Sequence, residues 1–133
     1  VPIAVQRIGT AESGHVDNCS QGGLTARIDS NGRLSAAGQF VNDGVDWHDT
    51  HPDSGAQITG TVVPGWKRIR EAMVSLVDQI GDLRYVGWDL VITGPGEFKI
   101  IEGQKTDIDL LQIHEPLLRN ERTRRFFEAH GVV

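Results

Sequence analysis

A chain of 133 residues with 38% hydrophobic and 23% charged residues is long enough for one compact core and too apolar for a disordered segment. Its formal charge of −5 supplies no basic footprint for nucleic acid or an anionic membrane surface. Cys19 is the single cysteine, no apolar run approaches the roughly 20 residues of a membrane span, and Val1-Pro2-Ile3 lacks a signal-peptide pattern, so a reducing, cytoplasmic setting is expected.

The chain reads as one domain over residues 1–133. Ile3 to Ile8 predicts a first strand, and the polar, turn-rich stretch Gly9 to Gly23 a loop. Gly23 to Asp29 and Arg33 to Ala37 read as two further strands. Asn31-Gly32 lies between them, and both residues tolerate the positive φ of a tight hairpin turn. Asn42 to Gly60 reads as another polar loop, carrying His48, Asp49, His51 and Asp53.

The clearest helix follows Pro64. Trp66, Ile69, Met73, Leu76, Val77 and Ile80 fall at three- and four-residue steps, with Lys67, Arg68, Arg70, Glu71 and Asp78 on the other face and Gly81 as the stop. A second hairpin is expected from Arg84 to Ile92 and from Glu97 to Glu102, turning at Thr93-Gly94-Pro95-Gly96. Both arms are apolar on both faces, as in central strands covered on two sides. Pro116 bends or starts a helical segment over Leu110 to Leu118, and Asn120 caps a helix from Glu121 to His130 that ends at Gly131. Arg119, Arg122, Arg124 and Arg125 near this end read first as a solvated face or ion-pair set. The fold class is α+β: a largely antiparallel sheet of five or six strands with the 66–82 helix across one face.

Asp89 interrupts a strand of Val86, Trp88, Leu90, Val91 and Ile92, where an ionised carboxylate is costly without a cation or several donors. Glu102 ends the partner strand. A four-residue loop pairs Asp89 with Ile100, and a two-residue loop pairs it with Glu102. Either way the two acids share a face, whereas odd loops separate them. Two converging carboxylates suit a hard cation such as Mg²⁺. The plainer reading pairs one acid with Arg84 or Lys105 and leaves the other solvated.

Tyr85-Val86-Gly87-Trp88-Asp89-Leu90-Val91-Ile92-Thr93, followed by Ile100-Ile101-Glu102-Gly103, resembles the metal-binding hairpin of ATP-grasp enzymes, in particular the sugar-transfer-associated, α-L-glutamate-ligase-related branch. Arg7, Val16-Asp17-Asn18, Gln21-Gly22-Gly23-Leu24, His51-Pro52-Asp53-Ser54-Gly55, Pro64-Gly65-Trp66 and Asp109-Leu110-Leu111-Gln112 extend the likeness in collinear order. The resemblance implies that Asp89 and Glu102 hold magnesium on ATP. Gln104 stands where the family has an Asn whose amide oxygen completes the metal shell. Arg7 and Asn18 would bind the phosphoryl oxygens. Lys105 departs from the family, standing where small, turn-forming residues are usual, and its ammonium would either replace some cation charge or bind phosphate itself.

The implied chemistry is that of an ATP-dependent carboxylate–amine ligase using Mg²⁺ and ATP. The resemblance is to the C-terminal lobe, and the family's nucleotide-covering N-terminal lobe has no counterpart here. The chain is therefore expected to be inactive alone and to pair with the missing lobe, a partner chain or a second copy. Two other readings stay open: a non-catalytic interaction or oligomerisation module on the same half-fold, and a small metal-dependent hydrolase built on His48-x-x-His51.

Overall fold

The computed structural model describes residues 3–81, 86–104 and 112–131. The architecture is α+β with antiparallel sheets and two α-helices among the described residues. The chain divides into two compact units, Ile3–Val63 and a second that begins at Pro64.

The first unit is an antiparallel meander of β1 (Val5–Ile8), β2 (Leu24–Ile28), β3 (Leu34–Val41) and β4 (Gly44–His48). Leu24, Ala26, Ile28, Leu34 and Ala37 are buried with Ile58 and Val63, and Thr25 is fully buried as well, so both faces of β2 are covered. The β2–β3 connection is wider than a two-residue turn. The Gly32 amide donates to the Asp29 carbonyl, the Asp29 amide donates to Arg33, and Gly32 alone takes positive φ, at 84°. Asp29 Oδ1 accepts from the Asn31 and Arg33 amides at 2.8 and 2.9 Å, which closes the turn through a side chain. A bulge in β3 then shifts the register, and Ser35 Oγ takes up the Arg27 amide at 3.0 Å.

β4 lies inside the stretch expected to be loop. Its two-residue connection through Asn42 and Asp43 pairs Val41 with Gly44, and Val45 and Trp47 alternate with Asp46 and His48. The chain then returns beside the start of β3, where Leu34 donates to Thr61, Gly60 donates to Leu34, and Val63 donates to Gly32.

In the second unit, α1 runs Trp66–Ile80 and ends at Gly81 with φ 76°. Its apolar stripe is buried at Trp66, Ile69 and Met73, half-buried at Leu76 and Val77, and exposed by Ile80. Gly65 enters the helix at φ 71°, and a Cβ there would lie 2.1 Å from the Gly96 nitrogen. That close approach sets the helix start against the tip of the hairpin formed by β5 (Gly87–Gly94) and β6 (Glu97–Gln104). After a short 3₁₀ turn at Leu117–Arg119, α2 spans Glu121–Ala129. Asn120 Oδ1 accepts from the Thr123 amide at 3.1 Å, as its position before the helix predicts.

Two expectations need correction. Among the described residues, six strands form two sheets, of four and two strands, and not one. The hairpin arms are also not covered on both faces, because Val91, Ile100 and Ile101 are exposed. A run of apolar residues reports burial only when other elements pack on it, and these side chains are left at the surface. Arg84, Leu110 and Leu111 lie outside the described residues.

Candidate functional site

The acid hairpin turns at Pro95-Gly96, so Gly94 pairs with Glu97. Thr93 is an extra residue in β5, and the register becomes Ile92↔Phe98, Val91↔Lys99 and Leu90↔Ile100. Ile101 is an extra residue in β6, and the register returns to Asp89↔Glu102. The two bulges cancel. Asp89 therefore sits directly across from Glu102, as a two-residue loop would place it, and the two carboxylates project from one face. Gln104, two residues after Glu102 and opposite Gly87, joins that face. Asp89 and Gln104 are half-buried and Glu102 is exposed.

On the other face the Trp88 ring lies over Gly103, where a Cβ would come within 2.7 Å of it. That contact pins the register that sets Asp89 against Glu102. Gln104 Nε2 donates to Glu102 Oε1 at 2.7 Å. Two carboxylates and a carboxamide on one face are hard oxygen donors, and they fit a cation of the Mg²⁺ class that keeps part of its water shell. Among the described residues no three His, Cys, Asp or Glu side chains cluster, so the acidic set consists of this pair. Lys105 lies outside the described residues.

Arg7 and Asn18 are brought together in the first unit. Arg7 Nη2 donates to Asp17 Oδ1 at 2.5 Å and also to Asn18 Oδ1. The loop is held by backbone bonds, with the Gln21 and Gly23 amides both donating to the Asn18 carbonyl at 3.0 Å. Gly23 is required there, since a Cβ would lie 2.6 Å from the Asp17 carbonyl oxygen. Asp17 lies within the Val16-Asp17-Asn18 stretch, and its partnership with Arg7 spans a loop that periodicity does not read. Beside them, burial pushes the Cys19 thiol upward against the opposing pull of the Arg7 charge. The ladders also place Arg7, Thr25, Gly38 and Trp47 in one row across the sheet. Trp47 belongs to β4, which the sequence pattern reads as loop.

The His-Pro-Asp-Ser-Gly segment is a clamp on the loop after β1. His51 Nδ1 accepts from the Asp53 and Ser54 amides, so Nε2 carries the proton and donates to the Gly9 carbonyl at 2.8 Å. Asp53 Oδ2 accepts from the Ala11 amide at 2.7 Å. His48 Nε2 meets Gln39 Oε1 at 3.1 Å. With both ring nitrogens of His51 engaged, His48-x-x-His51 does not present a pair of open imidazole ligands, and the zinc-hydrolase reading loses its basis. At the C-terminus, Arg124 pairs with Glu128 at 3.6 Å and Arg125 with Glu121, which makes that part of the cluster an ion-pair set.

An α+β protein with antiparallel sheets, a paired Asp and Glu on one hairpin and an Arg–Asn contact on another sheet is the class the geometry defines. The family model described as sugar-transfer associated ATP-grasp matches residues 1–124, and the chain belongs to that family. No curated protein and no solved structure gives a significant match. The family generally binds ATP and Mg²⁺. No helix among the described residues is long and apolar enough to cross a membrane.

Proposed function

We propose that this chain carries the cation- and phosphate-binding residues of an ATP-dependent carboxylate–amine ligase or a close chemical relative. The observation that carries the reading is the direct pairing of Asp89 with Glu102 in a chain of the ATP-grasp family. A divalent cation held there would neutralise phosphate oxygens as charge shifts in phosphoryl transfer. Asp89 and Glu102 orient their oxygens to one side of the hairpin, with Gln104 beside them. Arg7, steered by Asp17, offers a planar guanidinium to phosphoryl oxygens, and Asn18 fixes the rotamer of that guanidinium without adding charge. Lys105 is assigned to the phosphates by its place after the hairpin. Covering the nucleotide is assigned to a further lobe, a partner chain or a second copy, so these 133 residues are expected to bind Mg²⁺–ATP weakly and to turn over nothing alone.

Calorimetry of ATP binding with and without Mg²⁺, on this chain and on Asp89→Asn, tests the reading. Mg²⁺-dependent heat that the substitution weakens about tenfold or more supports it. Absence of heat from both proteins would remove the nucleotide role and favour an interaction module on the same fold.

A further inference from the structure

We infer that a cleft at one end of the four-stranded sheet binds a protonated organic amine, with Glu12 as the anchor for its ammonium group. The inference rests on the ligase reading and gives the amine of that reaction a place. The cleft has a volume of about 600 Å³, and Glu12, Gln21, Gly22, Gln39, Phe40 and Val41 line it. One wall is the 3₁₀ turn Cys19–Gln21, which follows Asn18 directly, and the other is the end of β3. Asn18 in turn meets Arg7, so the cleft and the residues assigned to the phosphoryl group share one loop.

Neighbouring residues hold Glu12 in one pose. Its side chain lies over Gly22, where a Cβ would come within 2.7 Å of Cγ and Cδ, so glycine leaves the room it occupies. Gln39 Nε2 donates to Glu12 Oε2 at 3.0 Å and to the Gly22 carbonyl at 2.9 Å. With its nitrogen so used, the Gln39 amide meets His48 Nε2 through its oxygen at 3.1 Å, which makes that ring nitrogen the donor. A run of hydrogen bonds from β4 through β3 thus orients the carboxylate, and Oε1 is the oxygen that Gln39 does not use. The charge around it favours a cation. None of the described residues lining the cleft is basic, and Asp46 stands directly across the ladder from Gln39. The rest of the wall is apolar, with Phe40 and Val41 each 42% exposed. A hydrated metal ion would gain nothing from those side chains, whereas the hydrocarbon body of an amine would cover them. The ammonium group then makes a charge-assisted hydrogen bond to Glu12.

The test follows the backbone amides of the whole chain in ¹H–¹⁵N spectra during titration with hexylamine, hexanol or hexanoate, for wild type, Glu12→Gln and Phe40→Ala. At about pH 7 hexylamine is protonated, as a lysine amine is, and it should shift the amides of Ser20 to Gly22 and Phe40 to Asn42 until they saturate. It should bind about fivefold more tightly than hexanol, and hexanoate should not bind. Glu12→Gln keeps the shape and an accepting oxygen but removes the charge, so the preference for hexylamine over hexanol should vanish. Phe40→Ala should weaken both ligands. Equal binding of hexylamine and hexanol by wild type, a preference that survives in Glu12→Gln, or unchanged affinity in Phe40→Ala would overturn the amine site. Calorimetry of Mg²⁺–ATP with wild type separates this failure from that of the ligase reading. ATP heat without amine shifts removes the cleft alone. Amine shifts without ATP heat remove the ligase reading and leave an amine-binding cleft.

Discussion

Arg7 projects from a four-stranded sheet in which Leu24, Thr25 and Ala26 of the neighbouring strand are fully buried, whereas Asp89 belongs to a two-stranded ladder that leaves Val91, Ile100 and Ile101 exposed. The Arg7 cluster is further held by backbone bonds from Gln21 and Gly23 to Asn18, and by His51 and Asp53 on the loop after β1. The acid pair stands on a strand register set by bulges that cancel and by one ring over one glycine, and Glu102 also accepts from Gln104. The contrast teaches that the two candidate elements are preorganised to different degrees. The guanidinium is set by the fold, while the carboxylates stand on a segment with little buried apolar surface of its own, the kind of segment that opens at low free-energy cost. A bound cation would supply the order that packing does not.

The largest effect should come from the covered strand. Leu24→Ala deletes a fully buried side chain and is expected to cost about 2–5 kcal/mol, read as a shift in the urea midpoint. Ile101→Ala removes a side chain that is 64% exposed and should stay within about 0.5 kcal/mol. Comparable losses from the two would break the contrast. Gly103→Ala comes next. Its Cβ would lie 2.7 Å from the Trp88 ring, so the indole must move, at about 1–3 kcal/mol. A change in tryptophan fluorescence should accompany the loss. Unchanged stability and emission would show that the ring yields freely and does not pin Asp89 against Glu102.

How much of this was legible beforehand varies with the range of the signal. The α1 stripe, its stop at Gly81 and the Asn120 cap are local patterns, and each appears where periodicity and capping chemistry place it. The shared face of Asp89 and Glu102 was also legible, because an even register preserves it. The bulges at Thr93 and Ile101 were not, since each adds one residue without a compositional mark and the pair restores the parity that counting assumes. β4 was missed because only Val45 and Trp47 are apolar between polar neighbours, although Asp43-Gly44 carried a turn signal. The Arg7–Asp17 contact joins residues ten positions apart across an irregular loop, and only the family resemblance had drawn attention to that segment.

The smallest expected effect tests whether side-chain closure of loops contributes to the order of the first unit. Amide donors from Arg33 and then Asn31, with the nearby Arg33 charge, hold the Asp29 carboxyl below its ordinary range. Because the folded value is depressed, the unfolded chain binds more protons in that window, and stability must fall as pH falls. The contribution is fully present above the unfolded value of about 3.9 and is lost as pH drops through the lower folded one. Asp29→Asn keeps an accepting oxygen but removes the charge, so its stability should decline less than that of wild type between about pH 5 and pH 3. Asp29 is fully exposed and solvent screens it, so the difference should be small and best read as a difference in the slope of urea midpoint against pH. Parallel slopes would mean that the turn closes without help from the charge, and the order around Arg7 would then rest on the buried strand and the loop clamp alone.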